Sequence, residues 1–188
     1  DFKLKRKRNL LLNLNQAYPA LKKKYTENHR RNIAKAEKNA LQFTDAVALK
    51  QFQKFYTNNI NHQKETFKPQ HEKIFKRLSA LLINNGTGQV FGAENSAGEL
   101  TAAVLLIKHG NRQIAIINTS SAEGKRSGAS HFLFDRLIDK FAGQPLILDF
   151  EGSSIASIAR FYEGFGAFEE VFFNYHTTIL KQLSQLFR

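Results

Sequence analysis

The sequence has no cysteine, no methionine and no tryptophan, and only three prolines in 188 residues. Without cysteine there is no disulfide framework, no thiolate metal site and no thiol nucleophile. A reducing cytoplasm is compatible with that composition. Methionine is missing even at position 1, where aspartate stands, so residue 1 is expected not to be the natural start. No apolar run approaches the roughly 20 residues that a membrane span needs, and the first residues have no signal-peptide pattern. The six histidines, His29, His62, His71, His109, His131 and His176, lack metal-ligand spacing with acidic partners. They read as surface or capping residues, and no metal is expected. No G-x-S-x-G nucleophile elbow occurs. Gly86-Thr87-Gly88 precedes a strand pattern instead of following one, so it reads as a turn and not as half a nucleotide fingerprint.

What remains is a chain rich in phenylalanine, with 17 Phe and 42% apolar residues, well able to build one core. Its net charge of +12 is unevenly placed: residues 1–84 carry +13 and residues 85–188 carry −1. That asymmetry points to a polyanionic partner for the N-terminal part, nucleic acid or an anionic surface, or else to a solvated face that keeps the chain soluble.

Taken in order, the basic lead-in KLKRKR precedes a short apolar strand at 10–14. After a turn at 15–19, Thr26 is placed to cap a helix over 27–40. On that helix Arg31, Lys35 and Lys38 fall at i, i+4 and i+7 as one basic stripe, with Arg30 beside it. Its apolar face, Ile33, Ala36 and Ala40, is thin, so weak packing is expected. Residues 45–61 and 69–84 read as two amphipathic helices. Beyond Gly86 the period shifts to 2, predicting strands at 88–94, 99–108 and 112–119 joined by hairpin turns. A polar loop, SSAEGKRSGAS, leads to a helix bearing Leu133, Phe134, Leu137, Ile138 and Phe141. A final strand is expected at 168–178. The class is α/β, a mixed central sheet flanked by helices.

The stretch PLILDFEGSSIASIARFYEGFGA at 145–167 organises the rest. Leu146, Leu148 and Phe150 form an apolar strand face, while Asp149 and Glu151 share the other face at the strand's carboxyl end, where open α/β sheets place ligands. Ser153 or Ser154 is placed to cap a helix with the stripe Ile155, Ile158, Ala159, Tyr162 and Phe165. The two acids read either as site carboxylates or as favourable charges at a helix start, and Tyr162 either as a site residue or as a core tyrosine. Lys125-Arg126-Ser127-Gly128-Ala129-Ser130 joins two cations to a glycine at a helix start, a pattern that holds phosphate or simply caps the helix.

Two of these stretches resemble the GNAT-type acyltransferase superfamily. Its pyrophosphate loop, Gln/Arg-x-x-Gly-x-Gly/Ala followed by apolar residues, is matched here by Lys125-x-x-Gly128-x-Ser130 with Leu133 and Phe134. Its later Tyr-x-x-x-Gly-Phe is matched by Tyr162-x-x-x-Gly166-Ala167. Lysine, serine and alanine are the departures. The LDFEGS turn followed by ARFYEGFGA resembles the FemAB branch, bacterial proteins of two related lobes that include enzymes moving amino acids from aminoacyl-tRNA onto peptidoglycan precursors. In that resemblance residues 1–44 correspond to the close of a first lobe and residues 45–188 to a GNAT-like domain.

The resemblance implies an N-acyltransferase or aminoacyltransferase with acyl-CoA (acetyl-CoA) or aminoacyl-tRNA as donor, and an amine acceptor such as a cell-wall precursor. It implies that Lys125 to Ser130 hold the donor's phosphates, and that Asn118, Thr119 and Ser120 offer backbone N–H groups to the donor's arm or carbonyl. Tyr162 would protonate the leaving group, and Asp149 and Glu151 would orient the amine or take its proton. Direct attack by an amine needs no cysteine or serine nucleophile. The basic stripe Arg30, Arg31, Lys35 and Lys38 would serve tRNA. The competing readings are a non-catalytic RNA- or polyanion-binding module on the same scaffold, and a lobe that only completes a larger protein.

Overall fold

The structure, a computed structural model, describes residues 3–60, 68–152 and 155–176. Its strands are β1 (Lys3–Asn13), β2 (Gln42–Thr44), β3 (Gly88–Glu94), β4 (Leu100–His109), β5 (Arg112–Ser120), β6 (Ile147–Gly152) and β7 (Phe168–His176). Its helices are α1 (Tyr18–Lys23), α2 (Glu27–Lys38), α3 (Leu49–Asn59), α4 (Pro69–Asn84), α5 (Ala122–Ser127), α6 (Ala129–Phe141) and α7 (Ala156–Glu163). The strands make one sheet in the order β2-β3-β4-β5-β6-β1-β7. Every neighbouring pair is antiparallel except β5 and β6, which are parallel. Parallel neighbours need a crossover, here supplied by α5 and α6.

Strand β4 is covered on both faces, which explains its unbroken apolar sequence. Ala102, Val104 and Leu106 join the larger core with Ile33, Phe134, Leu137, Leu148, Phe150 and Phe165. Ala103 and Leu105 join the smaller core with Phe52, Phe75 and Val90, from α3, α4 and β3. The basic segment at the start belongs to the same sheet: β1 lies between β6 and β7, and residues of α2 sit in the larger core.

Four local expectations are corrected. The basic lead-in is itself strand, because β7 pairs with it from Lys3↔His176 to Leu11↔Phe168. Helix α2 packs firmly, not weakly. His29, Ile33 and Ala36 are buried, whereas Ala40 is exposed and left-handed (φ 52) just past the helix. The polar loop after β5 contains the helix α5, capped by the Ser121 side chain, which accepts from Gly124 N. The helix expected from residue 45 begins at Leu49. Thr26 does cap α2, its hydroxyl accepting from His29 N. The expected caps Ser153 and Ser154 lie outside the described residues.

The feature that makes a site is where β5 and β6 part. They pair only at Arg112↔Ile147, Gln113↔Leu148 and Ile114↔Asp149, although β5 runs on to Ser120. Opposite β4, Leu106 faces Ala115 and Leu105 faces Ile117, so Ile116 is an extra residue in β5. Such a bulge bends its strand and strengthens the twist. Meanwhile β6 stays with β1, as far as Gly152↔Asn9. A gap therefore opens between the carboxyl ends of two parallel strands.

Candidate active site

The gap leads into a cavity of about 590 Å³ lined by Tyr56, Asn59 and Ile60 at the end of α3, Asn118, Thr119 and Ser120 of β5, Lys125 of α5, and Ile155, Ser157 and Ile158 at the start of α7. The three β5 residues anticipated from sequence thus stand together on its wall. Ser121 N donates to Thr101 O of β4 at 2.9 Å. Backbone groups alternate in direction along a strand, so the N–H groups of Asn118 and Ser120 point to the opposite side, the one that β6 has left.

Tyr162 occupies an intermediate place. Its ring is core, 3% exposed and stacked on Phe150 at 4.4 Å and 21°. Its hydroxyl accepts a hydrogen bond from Asn118 Nδ2, on the cavity wall. Burial, with the nearby Glu151 charge adding to it, pushes the phenol up to about 12 against the bond from Asn118. The hydroxyl keeps its proton at neutral pH, and accepting from Asn118 leaves that proton free to be directed elsewhere.

Asp149 and Glu151 are neighbours with different surroundings. Asp149 is 4% exposed. Its Oδ1 accepts from Asn9 Nδ2 (2.8 Å) and from Glu151 N (2.9 Å), and its Oδ2 from Arg112 (2.8 Å). A carboxyl group so fully engaged positions its neighbours. Glu151, in contrast, is exposed and takes a left-handed backbone (φ 61), a conformation costing about 1–2 kcal/mol for an L-residue. Asp149 holds it there through the Glu151 N–H. Partial burial, and then the Asp149 charge, raise the Glu151 carboxyl above the usual range.

The stretch from Lys125 to Ser130 is divided. Lys125 lines the cleft. Arg126 and Ser127 line a separate hollow of about 380 Å³ on the α2 side of α5. Gly128 is left-handed (φ 80), and a side chain there would meet Asn32 O of α2 at 2.5 Å. Gly128 and Ala129 are buried and Ser130 half-buried. Arg30, Arg31, Lys35 and Lys38 are all exposed along α2, with Arg30 donating to Lys23 O at 2.8 Å.

Other participants carried little local signal. Arg112, just after a hairpin turn, joins three strands by pairing with Asp149 at 2.8 Å and Glu170 at 2.9 Å. His29 is buried between helices. Its Nε2 donates to Phe161 O at 2.7 Å, which leaves Nδ1 to accept from the Thr26 hydroxyl at 2.9 Å. Burial lowers its pKa; burial, and then the charge of His29, lower that of His131, whose ring meets it edge to face at 4.7 Å, to about 4. The expectation that all six histidines are surface or capping residues therefore fails at His29. Among the described residues no group of three His, Asp or Glu is placed to hold a metal.

The family model described as "Acetyltransferase (GNAT) domain" matches residues 23–152. The chain belongs to the GNAT acetyltransferase family. Among solved structures, this GNAT domain is similar to FemX at 12% identity and TM-score 0.72, covering 94% of this chain and 63% of FemX. It is similar to a conserved protein of unknown function from Bacteroides thetaiotaomicron VPI-5482 at 11% identity and TM-score 0.65, with 94% and 62% covered. L-PGS from Bacillus licheniformis gives 8% identity and TM-score 0.63, with 97% and 65% covered. At such identities the likeness is one of fold. It agrees with the FemAB-like resemblance in the sequence, and the chain spans less than two thirds of the length of these three. No curated protein matches the sequence.

A GNAT domain implies an acyl donor. The geometry offers the acyl end of one Asn118, Thr119 and Ser120 on the cleft wall, with the Tyr162 hydroxyl bonded to the Asn118 side chain. It does not fit a pyrophosphate cradle of the whole 125–130 stretch. The close approach that Gly128 permits is taken by Asn32 O, and of these six residues only Lys125 lines the cleft.

Proposed function

We propose that this GNAT domain transfers an aminoacyl group from aminoacyl-tRNA to an amine, with a cell-wall precursor the acceptor class that the FemAB resemblance implies. The observation that carries acyl transfer is the juxtaposition at the parted strands: two backbone N–H groups directed into the gap and a buried, protonated phenol beside them. In the reaction the neutral acceptor amine attacks the ester carbonyl carbon and a C–N bond forms. Negative charge on the carbonyl oxygen meets the N–H groups of Asn118 and Ser120. The C–O bond to the ribose breaks, the departing oxygen takes the Tyr162 proton, and Glu151 takes the proton lost by nitrogen. Asp149 holds the Glu151 turn by accepting from its backbone N–H.

The donor choice rests on two observations. Helix α2 occupies the space beside Gly128 that a pyrophosphate would need, and the same helix shows a basic stripe of the kind that binds phosphate backbones. A non-catalytic RNA-binding module remains the second reading, favoured by the same stripe. The deciding experiment incubates the purified chain with labelled aminoacyl-tRNA, or with acetyl-CoA, and a panel of amine acceptors, and reads label transfer. Transfer from aminoacyl-tRNA that is lost in Y162F supports the proposal. Transfer from acetyl-CoA only overturns the donor assignment. tRNA binding without transfer from either donor leaves the binding module.

A further inference from the structure

Two cations that stand far apart in sequence meet at one hollow on the far side of α5. The cavity of about 380 Å³ is lined by Lys35 and Asn39 of α2, Asn95 and Ser96 of the β3–β4 turn, and Glu123 and Arg126 of α5, among others. Lys35 and Arg126 are exposed. Among the described residues neither side chain has an ion-pair or hydrogen-bond partner. Some cations elsewhere are paired, Arg6 with Glu169, Arg8 with Glu163, Arg112 with Asp149 and Glu170, and Lys140 with Asp45, while others stand singly on the surface; what sets Lys35 and Arg126 apart is that they line one hollow. Two unpaired cations facing one concavity attract an anion between them. Glu123 faces the same hollow and is partly satisfied by Asn95 Nδ2 at 3.3 Å. Among the lining residues two carry positive charge and one negative, and Glu99, outside the lining, shares the Asn95 amide with Glu123 at 3.3 Å, so a phosphate would sit on the Lys35 and Arg126 side of the hollow.

Its position gives that phosphate a context. Lys35 is the middle of the stripe Arg31, Lys35, Lys38, which rises about 10 Å along α2. Arg126 is followed back along α5 by Lys125, which lines the cleft. We propose that Lys35 and Arg126 form a phosphate site for an RNA backbone, and that the backbone runs from the α2 stripe over α5 toward the cleft. This rests on the reading of the donor as aminoacyl-tRNA and adds the surface that would carry it.

The test measures binding, not turnover. Fluorescence anisotropy of labelled, unacylated tRNA is followed over a salt series for the wild-type chain, for K35A/R126A, and for K73A/R77A, which removes two exposed cations from α4. Circular dichroism melts confirm that each variant folds. The expected result is affinity about tenfold lower for K35A/R126A, as for loss of a charge-assisted contact, with the log–log salt slope reduced by about one. K73A/R77A should leave both nearly unchanged. A direct CoA titration separates the sources of phosphate. Loss of CoA binding in K35A/R126A with tRNA binding unaltered overturns the proposal. So does equal weakening by the two double variants, or no tRNA binding by the wild type. If tRNA binding responds as expected yet no aminoacyl group is transferred, the proposed activity fails and this surface stands.

Discussion

The Asn118 side-chain amide donates to the Tyr162 hydroxyl, tying the free end of β5 to α7. This one bond joins the end of β5, there paired only with β4, to the helix that follows β6, so it spans the place where β5 and β6 part. It also fixes the phenol's polarity. With its oxygen accepting and burial holding its pKa near 12, Tyr162 is a proton donor throughout the physiological range.

Replacing Tyr162 with Phe should therefore separate chemistry from folding. The ring and its stacking on Phe150 are retained. What is lost is one hydrogen bond, worth about 1 kcal/mol of stability, and the proton for the leaving group, worth about 10²–10⁴ in rate. Thermal melts alongside single-turnover transfer rates measure both. A variant that transfers as fast as wild type would remove Tyr162 from the mechanism.

Glu151 should reveal itself through pH. Its carboxyl is raised by partial burial and by Asp149, so the folded state holds that proton more tightly than the unfolded state. The stability it contributes is complete below the unfolded pKa and is lost as pH rises through the folded one. Activity should run the other way, rising as Glu151 gives up its proton. In E151Q the transfer rate should fall and this acidic limb should disappear from the pH–rate profile. In E151G, relief of the left-handed backbone offsets the extra freedom of the unfolded chain, for a net gain between zero and about 1 kcal/mol. Such a variant should be at least as stable as wild type and poorly active.

Removing Arg112 tests whether the acidic pair is scaffold or machinery. R112A leaves the buried Asp149 carboxylate with only Asn9 and Glu151 N as donors. Breaking a buried pair on one side typically costs about 3–5 kcal/mol, and the lower end is expected because Arg112 is 31% exposed. Urea unfolding of R112A and of R112A/D149N should show the second change restoring part of the loss. A double variant no more stable than R112A would mean that the stranded charge is not the cause.

Gly164 and His29 form a steric pair. A side chain at 164 would stand 1.9 Å from His29 Cε1, and the ring is held by Phe161 O and Thr26. G164A should destabilise by more than about 2 kcal/mol, as an overpacked core does. H29A loses the bond to α7 but frees the space, so H29A/G164A should be more stable than the sum of the single variants predicts. Additive losses in denaturant melts would refute the contact. Gly128 needs similar care. Ala at that position collides with Asn32 O and requires φ 80, so G128A is a packing variant before it is a ligand-binding variant.

Much of this fold was legible because its causes are local. The period-2 runs became β3, β4 and β5, the Thr26 cap started α2, and the strand with Leu148 and Phe150 was recognisable from alternation alone. The resemblance of 125–134 and 162–167 to the GNAT pattern led to the family, and Asn118 to Ser120 do line the cleft. Other features depend on which strands are neighbours, and sequence spacing does not carry that. Asp149 reads as a free acid until Arg112, 37 residues away, and Asn9, 140 away, are brought beside it. The basic lead-in reads as preceding its strand until β7 supplies Glu169 and a full ladder that makes it part of that strand. Gly128 reads as a place for phosphate until α2 sets Asn32 O against it. Local propensity and periodicity belong to the chain and determine its elements. The pairing of charges, the sealing of one glycine and the parting of two strands arise only from contacts between distant segments, and tertiary packing alone decides them.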